Sequence, residues 1–258
     1  LVACTAMAVQ AQDEAAELAK KLANPVASLI SVPIQANYDE NIGPEEDGSI
    51  WRVNIQPVIP VTLSDDWNLI SRTILPVVDQ EDIPSAGMGE SGIGDIVQSV
   101  FFSPKEPGWR DWIWGAGPVA LLPTASEDAL GAEQWGLGPT AVALRQLGPW
   151  TYGLLANHIW SFAGDDDRPD LNNTFFQPFF AYTTPTSWTI SLQSETLYNW
   201  DTEKWSVPLN AALAKLVMLG KLPVSLQGGV GYWLESPEGA AEGWRFRFQA
   251  NLVLPKSK

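Results

Sequence analysis

The sequence predicts an all-β fold, an up-and-down antiparallel transmembrane β-barrel of about twelve strands with a short N-terminal helix. Three observations lead to this prediction. Long segments alternate apolar and polar residues, tight turns alternate with longer polar loops, and most of the 13 tryptophans lie near the ends of predicted strands. The sequence has no run of 18 or more apolar residues, so it predicts no transmembrane helix.

Three parts follow one another along the chain, at residues 1–11, 12–25 and 26–258. Residues 1–11 are small and apolar and end in Val9-Gln10-Ala11, a small-x-small cleavage site that predicts the remnant of a signal peptide. The alternative is a lipobox in which Cys4, the only cysteine, becomes a lipidated N-terminus. Good helix formers fill residues 12–25 until Asn24-Pro25 stops them, which predicts a helix. Both N-terminal interpretations predict export.

The barrel is predicted over residues 26–258. Its strand segments are 11 to 15 residues long, which suits a tilted membrane-spanning strand with some overhang. The twelve predicted strands cover residues 28–38, 49–62, 66–78, 92–103, 110–123, 134–147, 149–162, 172–183, 187–199, 204–218, 222–235 and 243–254.

The connections between these strands alternate in kind. Tight turns are predicted at residues 64–65, 147–149, 184–186 and 219–221. Longer polar loops are predicted at residues 39–48, 79–91, 124–133, 163–171, 200–203 and 236–242. Short turns on one side and long loops on the other are typical of barrels in the outer membrane of Gram-negative bacteria, with the short turns and both termini in the periplasm.

Alternation alone does not separate a membrane barrel from a soluble sandwich, so the tryptophans decide between them. In the last strand Trp244, Phe246 and Phe248 alternate with Arg245 and Arg247, as either fold would require. Indole settles at the headgroup level of a bilayer, so two belts of tryptophan at the strand ends predict a membrane barrel. The long-loop belt comprises Trp51, Trp135, Trp160, Trp200, Trp205, Trp233 and Trp244, and the short-turn belt comprises Trp67, Trp109, Trp112, Trp150 and Trp188.

Seven prolines lie inside predicted strands, where each removes a hydrogen-bond donor from the ladder. A closed barrel has no free edge, so bulges or register breaks are expected at these positions. The seven are Pro57, Pro60, Pro76, Pro118, Pro139, Pro178 and Pro208.

Charge and cysteine content exclude several classes of partner. The formal net charge is −15, which argues against nucleic acid because binding phosphates requires clustered Lys and Arg. Loss of Cys4 with the signal would leave no thiol ligand for a metal. No cofactor is expected.

Four segments of the barrel resemble a known family. They are Asn54–Val78 (NIQPVIPVTLSDDWNLISRTILPVV), Gly92–Pro104 (GIGDIVQSVFFSP), Gly148–Arg168 (GPWTYGLLANHIWSFAGDDDR), and PVSLQGGVGYW followed by ESPEG and GWRFRF. With these segments the chain resembles the bacterial outer-membrane barrel family named after the meta-pathway of phenol degradation. The resemblance implies a channel or transporter for small solutes, aromatic or hydrophobic compounds among them, and not an enzyme.

A barrel in the bacterial outer membrane implies particular partners. We expect membrane lipid, lipopolysaccharide, a small-molecule solute and the outer-membrane assembly machinery. That machinery commonly recognises an aromatic residue near the C-terminus, a role that Phe246 and Phe248 would fill.

Strand parity predicts which polar residues face the lumen and form the solute path. They are Arg52, Asn54, Gln56, Arg72, Asp95, Gln193, Glu195, Gln227, Arg245, Arg247, Gln249 and Asn251. The four arginines lie on the first three strands and the last, which become neighbours when the barrel closes, whereas Glu195 and Asp95 lie on other walls. Basic residues that face acidic ones across a lumen set ion selectivity. Two interpretations stay open: a selective constriction, or charges that pair with one another and plug a narrow barrel.

Three further features could carry a function. Asp165, Asp166 and Asp167 could hold Ca²⁺ or Mg²⁺ together with lipopolysaccharide phosphates, the alternative being a solvated loop. His158, the only histidine, could serve a lipid-active outer-membrane hydrolase, but strand parity places it on the lipid-facing side and Ser161 on the opposite wall. A structural barrel with an occluded lumen is the third alternative.

Overall fold

The computed structural model describes the backbone of residues 2–255 and the side chains of residues 12–255. It contains one α-helix, α1 (Val2–Leu22), followed by a barrel of antiparallel strands. The strands are β1 (Ile30–Ile42), β2 (Gly48–Ile55), β3 (Val58–Thr62), β4 (Trp67–Glu81), β5 (Ser91–Ile93), β6 (Ile96–Pro104), β7 (Trp112–Leu122), β8 (Gln134–Leu147), β9 (Trp150–Gly164), β10 (Asn172–Thr183), β11 (Trp188–Ser194), β12 (Thr196–Asn199), β13 (Lys204–Leu219), β14 (Leu222–Glu235) and β15 (Trp244–Leu254).

These strands form twelve spans of one closed ring. Three spans are interrupted, so that β2 and β3, β5 and β6, and β11 and β12 each make up one span. The ring closes where β15 pairs with β1 in continuous register, from Ile30 opposite Leu254 to Asp39 opposite Arg245. The prediction of a twelve-strand up-and-down antiparallel barrel with a short N-terminal helix is therefore confirmed.

The interruptions coincide with prolines, because a proline gives its neighbour no N–H to bond. Pro57 separates β2 from β3, and the gap between β5 and β6 lies beside Pro76, whose carbonyl accepts from Gly94 N at 2.9 Å. The β13–β14 register shifts between Val207 and Pro208. The expected breaks are thus confirmed at these positions.

At Pro60 the expectation of a break is wrong. This residue pairs with Ile70 in an uninterrupted β3–β4 ladder. On its other side β1 pairs with β3 only through Ser31 and Val58, so no ladder donor is needed at Pro60. The end of the neighbouring strand therefore supplies the edge that a closed barrel would otherwise lack.

The outer wall of the barrel is apolar and its inner wall is packed or polar. Along β8, Trp135 and Leu137 are exposed whereas Thr140, Val142 and Leu144 are buried. A surface of this kind is unfavourable in water and favourable against lipid tails.

One half of the interior is filled by apolar side chains. Ile70, Phe101, Leu144 and Leu155 are buried to within 2% exposure on β4, β6, β8 and β9. Val26, which follows α1, is 5% exposed and packs into this cluster. A barrel of this size is narrow enough for side chains to fill it, so on this side no open path remains.

Helix α1 lies across the short-turn end of the barrel. Gln12 Nε2 donates to Pro185 O at 3.4 Å in one turn, and Gln146 Nε2 donates to Lys20 O at 2.8 Å at the end of β8. Residues 23–27 then enter the lumen, with Asn24 Oδ1 accepting from Val26 N at 2.9 Å. The helix begins earlier than the predicted residue 12. No helix in the described part of the chain is long and apolar enough to cross a membrane.

We expect Val26→Asp to release residues 23–27 from the lumen while the barrel stays folded. The substitution forfeits about 1.5–3 kcal/mol of burial and would place a carboxylate among apolar side chains. Trypsin should therefore cleave at Lys20 and Lys21 at least about tenfold faster, since 1.4 kcal/mol corresponds to a factor of ten.

Limited proteolysis of the detergent-solubilised protein measures this effect. Ala27→Asp is the matched control, because Ala27 faces the polar part of the lumen in the same segment. Equal cleavage rates for the two variants would show that Val26 does not anchor the segment.

Candidate functional site

A buried network of charges crosses the lumen near its extracellular half. Arg245 Nη2 lies 2.7 Å from Asp39 Oδ2, and Arg245 Nη1 lies 3.7 Å from Glu195 Oε2. Arg247 Nη2 donates to the same Glu195 oxygen at 2.6 Å, and Arg247 Nε donates to Asn37 Oδ1 at 2.7 Å. We call Asp39, Arg52, Glu195, Arg245 and Arg247 the ionic layer.

Asp39 is the best-satisfied acid of the ionic layer. Its side chain is 1% exposed, and its second oxygen, Oδ1, accepts from Trp233 Nε1 at 2.8 Å. The Arg245 guanidinium stacks over the Trp233 ring, 4.7 Å from its centroid. Trp233 therefore points into the lumen, and its predicted place in the long-loop tryptophan belt is wrong. The indole N–H bonds to Asp39 inside the barrel. Residue 233 therefore follows the inward-facing parity of β14 and not the preference of tryptophan for the membrane interface.

Glu195 is the member of the ionic layer that reaches across the lumen. It lies between β11 and β12 and bonds to arginines on β15, three spans away around the ring. Gln193 Nε2 donates to its other oxygen at 3.2 Å. The register of Ser194 with Leu209 and of Leu197 with Ser206 puts Pro208 opposite Glu195. Because proline lacks an N–H, the backbone at Glu195 forms fewer ladder bonds than its neighbours.

The ionic layer carries more positive than negative charge. Arg52 faces Asn37 in register and interacts electrostatically with Asp39 and Glu195, but it forms no ion pair among residues 12–255. Three guanidinium groups thus meet two carboxylates. Arg245 Nε and Arg247 Nη1 are buried and have no hydrogen-bond partner within the described part of the chain. The layer therefore has donors to spare for an anion.

A cavity of about 220 Å³ lies between the ionic layer and residues 23–27. Its polar wall is formed mainly by amide side chains and by Arg72, and we call it the amide chamber. Arg72 Nη2 donates to Gln56 Oε1 at 2.8 Å and forms no ion pair among the described side chains. The amides on the barrel wall are Gln35, Gln56, Gln177, Gln193, Gln227, Gln249 and Asn251, and Asn24 of the segment after α1 adds another.

The structure therefore divides most of the predicted lumen residues between two levels. Arg52, Glu195, Arg245 and Arg247 belong to the ionic layer, and six of the remaining predicted residues line the amide chamber. Asn54 lies between Arg52 and Gln56 on the same strand, in register with Gln35. The chamber residues that strand parity predicted to face the lumen are Gln56, Arg72, Gln193, Gln227, Gln249 and Asn251.

Asp95 was expected to face the arginines, and this expectation is wrong. Its carboxylate accepts hydrogen bonds from the backbone N–H groups of Thr124, Ala125 and Ala132, at 3.1, 3.1 and 2.6 Å. The gap between β5 and β6 turns this residue toward the loop at 124–133. Asp95 therefore anchors an extracellular loop.

The acidic loop does not form the cation site considered for it. Within residues 12–255 no three His, Cys, Asp or Glu side chains come together as metal ligands. Asp165 instead closes a turn, with Oδ1 accepting from Asp167 N at 2.8 Å. Arg168 donates to Asp128 O at 2.9 Å and joins this loop to the preceding one. Partial burial there raises the pKa of Glu133, and the nearby Asp128 carboxyl raises it further.

His158 and Ser161 do not form a catalytic pair. His158 Nδ1 lies 2.6 Å from Thr174 Oγ1, and its ring contacts Trp160 with centroids 4.0 Å apart. His158 Nε2 has no hydrogen-bond partner among the described residues, so no acid or amide orients the ring. Ser161 Oγ bonds to Asp170 Oδ1 at 3.0 Å.

Sequence reasoning missed several polar residues of the lumen, above all on β1. Residues 39–48 were predicted to be a loop, but β1 continues to Ile42 and puts Asp39 inside the barrel. The signal was present, because Gln35, Asn37 and Asp39 alternate with Ile34, Ala36 and Tyr38. An acidic residue near a strand end resembles a loop residue until its partner on another strand is known.

Comparison with known proteins gives matches in structure. No protein-family model and no curated protein sequence matches the chain. The COG4313 outer membrane channel from Pseudomonas putida F1 superposes with a TM-score of 0.69 and 16% identity, over 88% of this chain and 96% of that one. The NanC porin superposes with a TM-score of 0.53 and 9% identity, over 87% of this chain and 99% of that one.

An enzyme shares the architecture too. Outer membrane phospholipase A from Escherichia coli superposes with a TM-score of 0.50 and 11% identity, over 87% of this chain and 90% of that one. The chain has the fold of a bacterial outer-membrane β-barrel. Similarity at these identities concerns the fold, which channels and an enzyme have in common, so the function has to be argued from the lumen.

We expect Asp39→Ala to destabilise the barrel by about 3–5 kcal/mol, because it leaves Arg245 buried without its main partner. Arg245→Ala should cost a similar amount. The double variant should cost less than the two together, since no uncompensated charge of this pair remains.

Equilibrium urea unfolding of the protein in lipid vesicles measures these free energies. Asp66→Ala, an exposed carboxylate in a short turn, is the control and should change stability by less than about 0.5 kcal/mol. Additive effects of Asp39→Ala and Arg245→Ala would exclude coupling between the two side chains.

Proposed function

We propose that the protein is an outer-membrane channel that passes small solutes and prefers anions, with the ionic layer as its narrowest point. The observation that carries this proposal is the buried excess of guanidinium groups in the ionic layer. Arg52 forms no ion pair there among residues 12–255, and Arg247 retains an unpartnered Nη1. Rings of arginine select anions in other pores for the same electrostatic reason.

The negative charge of the whole chain does not oppose this selectivity. Most of the acids lie in extracellular loops, where ions screen a charge over about 8 Å at physiological ionic strength. The guanidinium groups of the ionic layer are enclosed by protein, where screening is weaker. The local excess in the lumen therefore governs which ion crosses, whereas the loops act on its approach.

In this proposal the Glu195 side chain closes the lumen by reaching across it. It is the most exposed acid of the ionic layer, at 21%, and it blocks the lumen by bonding to Arg247 and Arg245. An anion can occupy its place on these arginines, and the sparse ladder bonding beside Pro208 lets the backbone yield. This combines the two interpretations of the charges, since the pairs close the lumen and also define its selectivity.

Residues 23–27 form a second restriction at the periplasmic end. Val26 packs against the filled half of the lumen, and α1 covers the mouth. We propose that solutes leave the amide chamber when this segment moves. The division into a signal remnant at 1–11, a helix at 12–25 and a barrel at 26–258 stays a prediction, as does cleavage or lipidation near Cys4.

Several expectations accompany the proposal. Membership of the family named after the meta-pathway of phenol degradation stays a prediction, as do lipopolysaccharide and the assembly machinery as partners. The lining of the amide chamber favours polar solutes over aromatic or hydrophobic compounds. In the hydrolase alternative, no acid or amide would orient His158. The occluded structural barrel is the alternative that a bilayer recording without conductance would support.

We expect Arg52→Gln to lower the anion preference without disrupting an ion pair. The substitution removes one unpaired positive charge from the ionic layer. The reversal potential in a tenfold KCl gradient should therefore move away from the equilibrium potential of Cl⁻ and toward that of K⁺. Planar-bilayer recordings of the refolded protein measure it.

The matched control is Lys204→Gln, which removes one positive charge at the exposed extracellular end of β13. Its reversal potential should stay close to that of the unmodified protein. An equal shift in both variants would assign the selectivity to overall charge instead of the ionic layer.

Glu195→Gln should raise both the single-channel conductance and the anion preference. The substitution removes the negative charge that spans the lumen and leaves a greater excess of positive charge on Arg245 and Arg247. Glu235→Gln, at the exposed end of β14, is the control. Unchanged conductance in Glu195→Gln would contradict the closing role of Glu195. If no inserted variant conducted, that result would support an occluded barrel.

A further inference from the structure

We infer that the amide chamber is a binding site for a small hydroxylated carboxylate, with Arg72 taking the carboxylate and the surrounding amides taking the hydroxyl groups. This inference rests on the proposed channel function and adds a class of solute to it. The chamber lies between the ionic layer and residues 23–27, on the path that a solute would follow through the lumen.

Arg72 supplies the charge that such a site requires. Its Nη2 atom donates to Gln56 Oε1 at 2.8 Å, and no carboxylate among the described side chains pairs with it. Glu195, on the ionic layer above, is bonded to Arg247 at 2.6 Å. Glu195 acts on Arg72 electrostatically without forming an ion pair with it. A guanidinium that no carboxylate contacts directly favours an anion in an enclosed cavity, and the two oxygens of a carboxylate match its planar fork.

The amides supply recognition of hydroxyl groups. Each glutamine offers one acceptor oxygen and two donor hydrogens, and a hydroxyl group both donates and accepts, so either end of the amide can bind it. The chamber contains six glutamines: Gln35, Gln56, Gln177, Gln193, Gln227 and Gln249. Gln56 already accepts from Arg72, and Gln193 bonds to Gln177 and Glu195. The remaining amides, Gln35, Gln227 and Gln249, give neutral hydrogen-bonding capacity that a simple ion does not use.

Asn251 provides an independent indication of a ligand. Its side chain is 7% exposed, it lines the chamber, and its Oδ1 has no hydrogen-bond partner among residues 12–255. A buried acceptor that stays unsatisfied has lost its hydration without a replacement, which is unfavourable. A hydroxyl donor in the chamber would satisfy it, whereas a bare anion such as chloride would not.

The dimensions of the chamber limit the ligand to a small molecule. Its volume of about 220 Å³ is below the roughly 300 Å³ at which pockets for drug-sized ligands begin. Phe179 and Val58 form an apolar side of the same cavity, against which a carbon skeleton can pack. The combination of Arg72, the exposed Lys21 of α1, many amides and a short apolar wall fits a polyhydroxylated monocarboxylate.

Isothermal titration of the full chain in detergent tests the inference with three probes. Gluconate carries a carboxylate and hydroxyl groups, glucose carries hydroxyl groups alone, and acetate carries a carboxylate alone. Hydrogen bonds to a charged group contribute about 1.5–3 kcal/mol, so gluconate should bind roughly 10- to 100-fold more tightly than glucose. It should also bind at least about tenfold more tightly than acetate, which reaches none of the amides.

Two variants separate the two halves of the site. Arg72→Gln should reduce gluconate affinity to that of glucose and leave glucose unchanged, whereas Arg72→Lys should fall between because it keeps the charge without the fork. Gln249→Leu should weaken gluconate and glucose by the same factor and leave acetate unchanged. Lys204→Gln is the control for lost positive charge and should bind all three probes as the unmodified protein does.

KCl conductance of the same preparations distinguishes failure of the inference from failure of the proposed function. Conductance together with equal binding of gluconate and glucose, or with gluconate binding that Arg72→Gln does not reduce, overturns the site and leaves the channel. Tight gluconate binding with the expected pattern of variants but no conductance supports the site and overturns the open channel. Heat-modifiable gel mobility establishes that each variant is folded.

Discussion

The ion pair between Asp39 and Arg245 is the interaction on which the rest of the lumen depends. An arginine that faces lipid at the midplane costs roughly 2–4 kcal/mol, so Arg245 and Arg247 turn inward, where they need counter-charges. Asp39 meets Arg245 across the seam at which the first and last strands close the ring. Closure of the barrel and pairing of Asp39 with Arg245 are therefore the same event.

The remaining architecture follows from an uneven distribution of polarity around the ring. Apolar side chains on β4 and on β6 to β9 fill one half of the interior, and Val26 extends that packing into the segment after α1. Charges and amides line the other half, on β1, β2, β10, β11, β14 and β15, together with Arg72 on β4. The filled half gives the barrel a packed core, so the polar half can keep some buried groups without partners.

The sequence determines the barrel more completely than it determines the site. Period-two alternation, turn lengths and tryptophan belts depend on neighbours along the chain, so the twelve spans and most inward-facing residues were predictable. Asp39, Trp233 and Asp95 were misplaced because each depends on partners from distant strands. The crossing of Glu195 to Arg247 was anticipated only as two opposed walls, since reach across a lumen depends on how far side chains extend and not on parity.

The half-filled interior also bears on how the size of such a pore is judged. Strand number sets the diameter of the ring, but here a solute would travel off-centre, sliding along the seam wall and never meeting the side chains of β8. Two barrels with rings of equal diameter can thus differ widely in the width of the open path through them. If the barrel were adapted as a size-selective pore, smaller side chains at Phe101 or Leu155 would open a second, apolar path beside the polar one. The number of strands in the ring would stay the same.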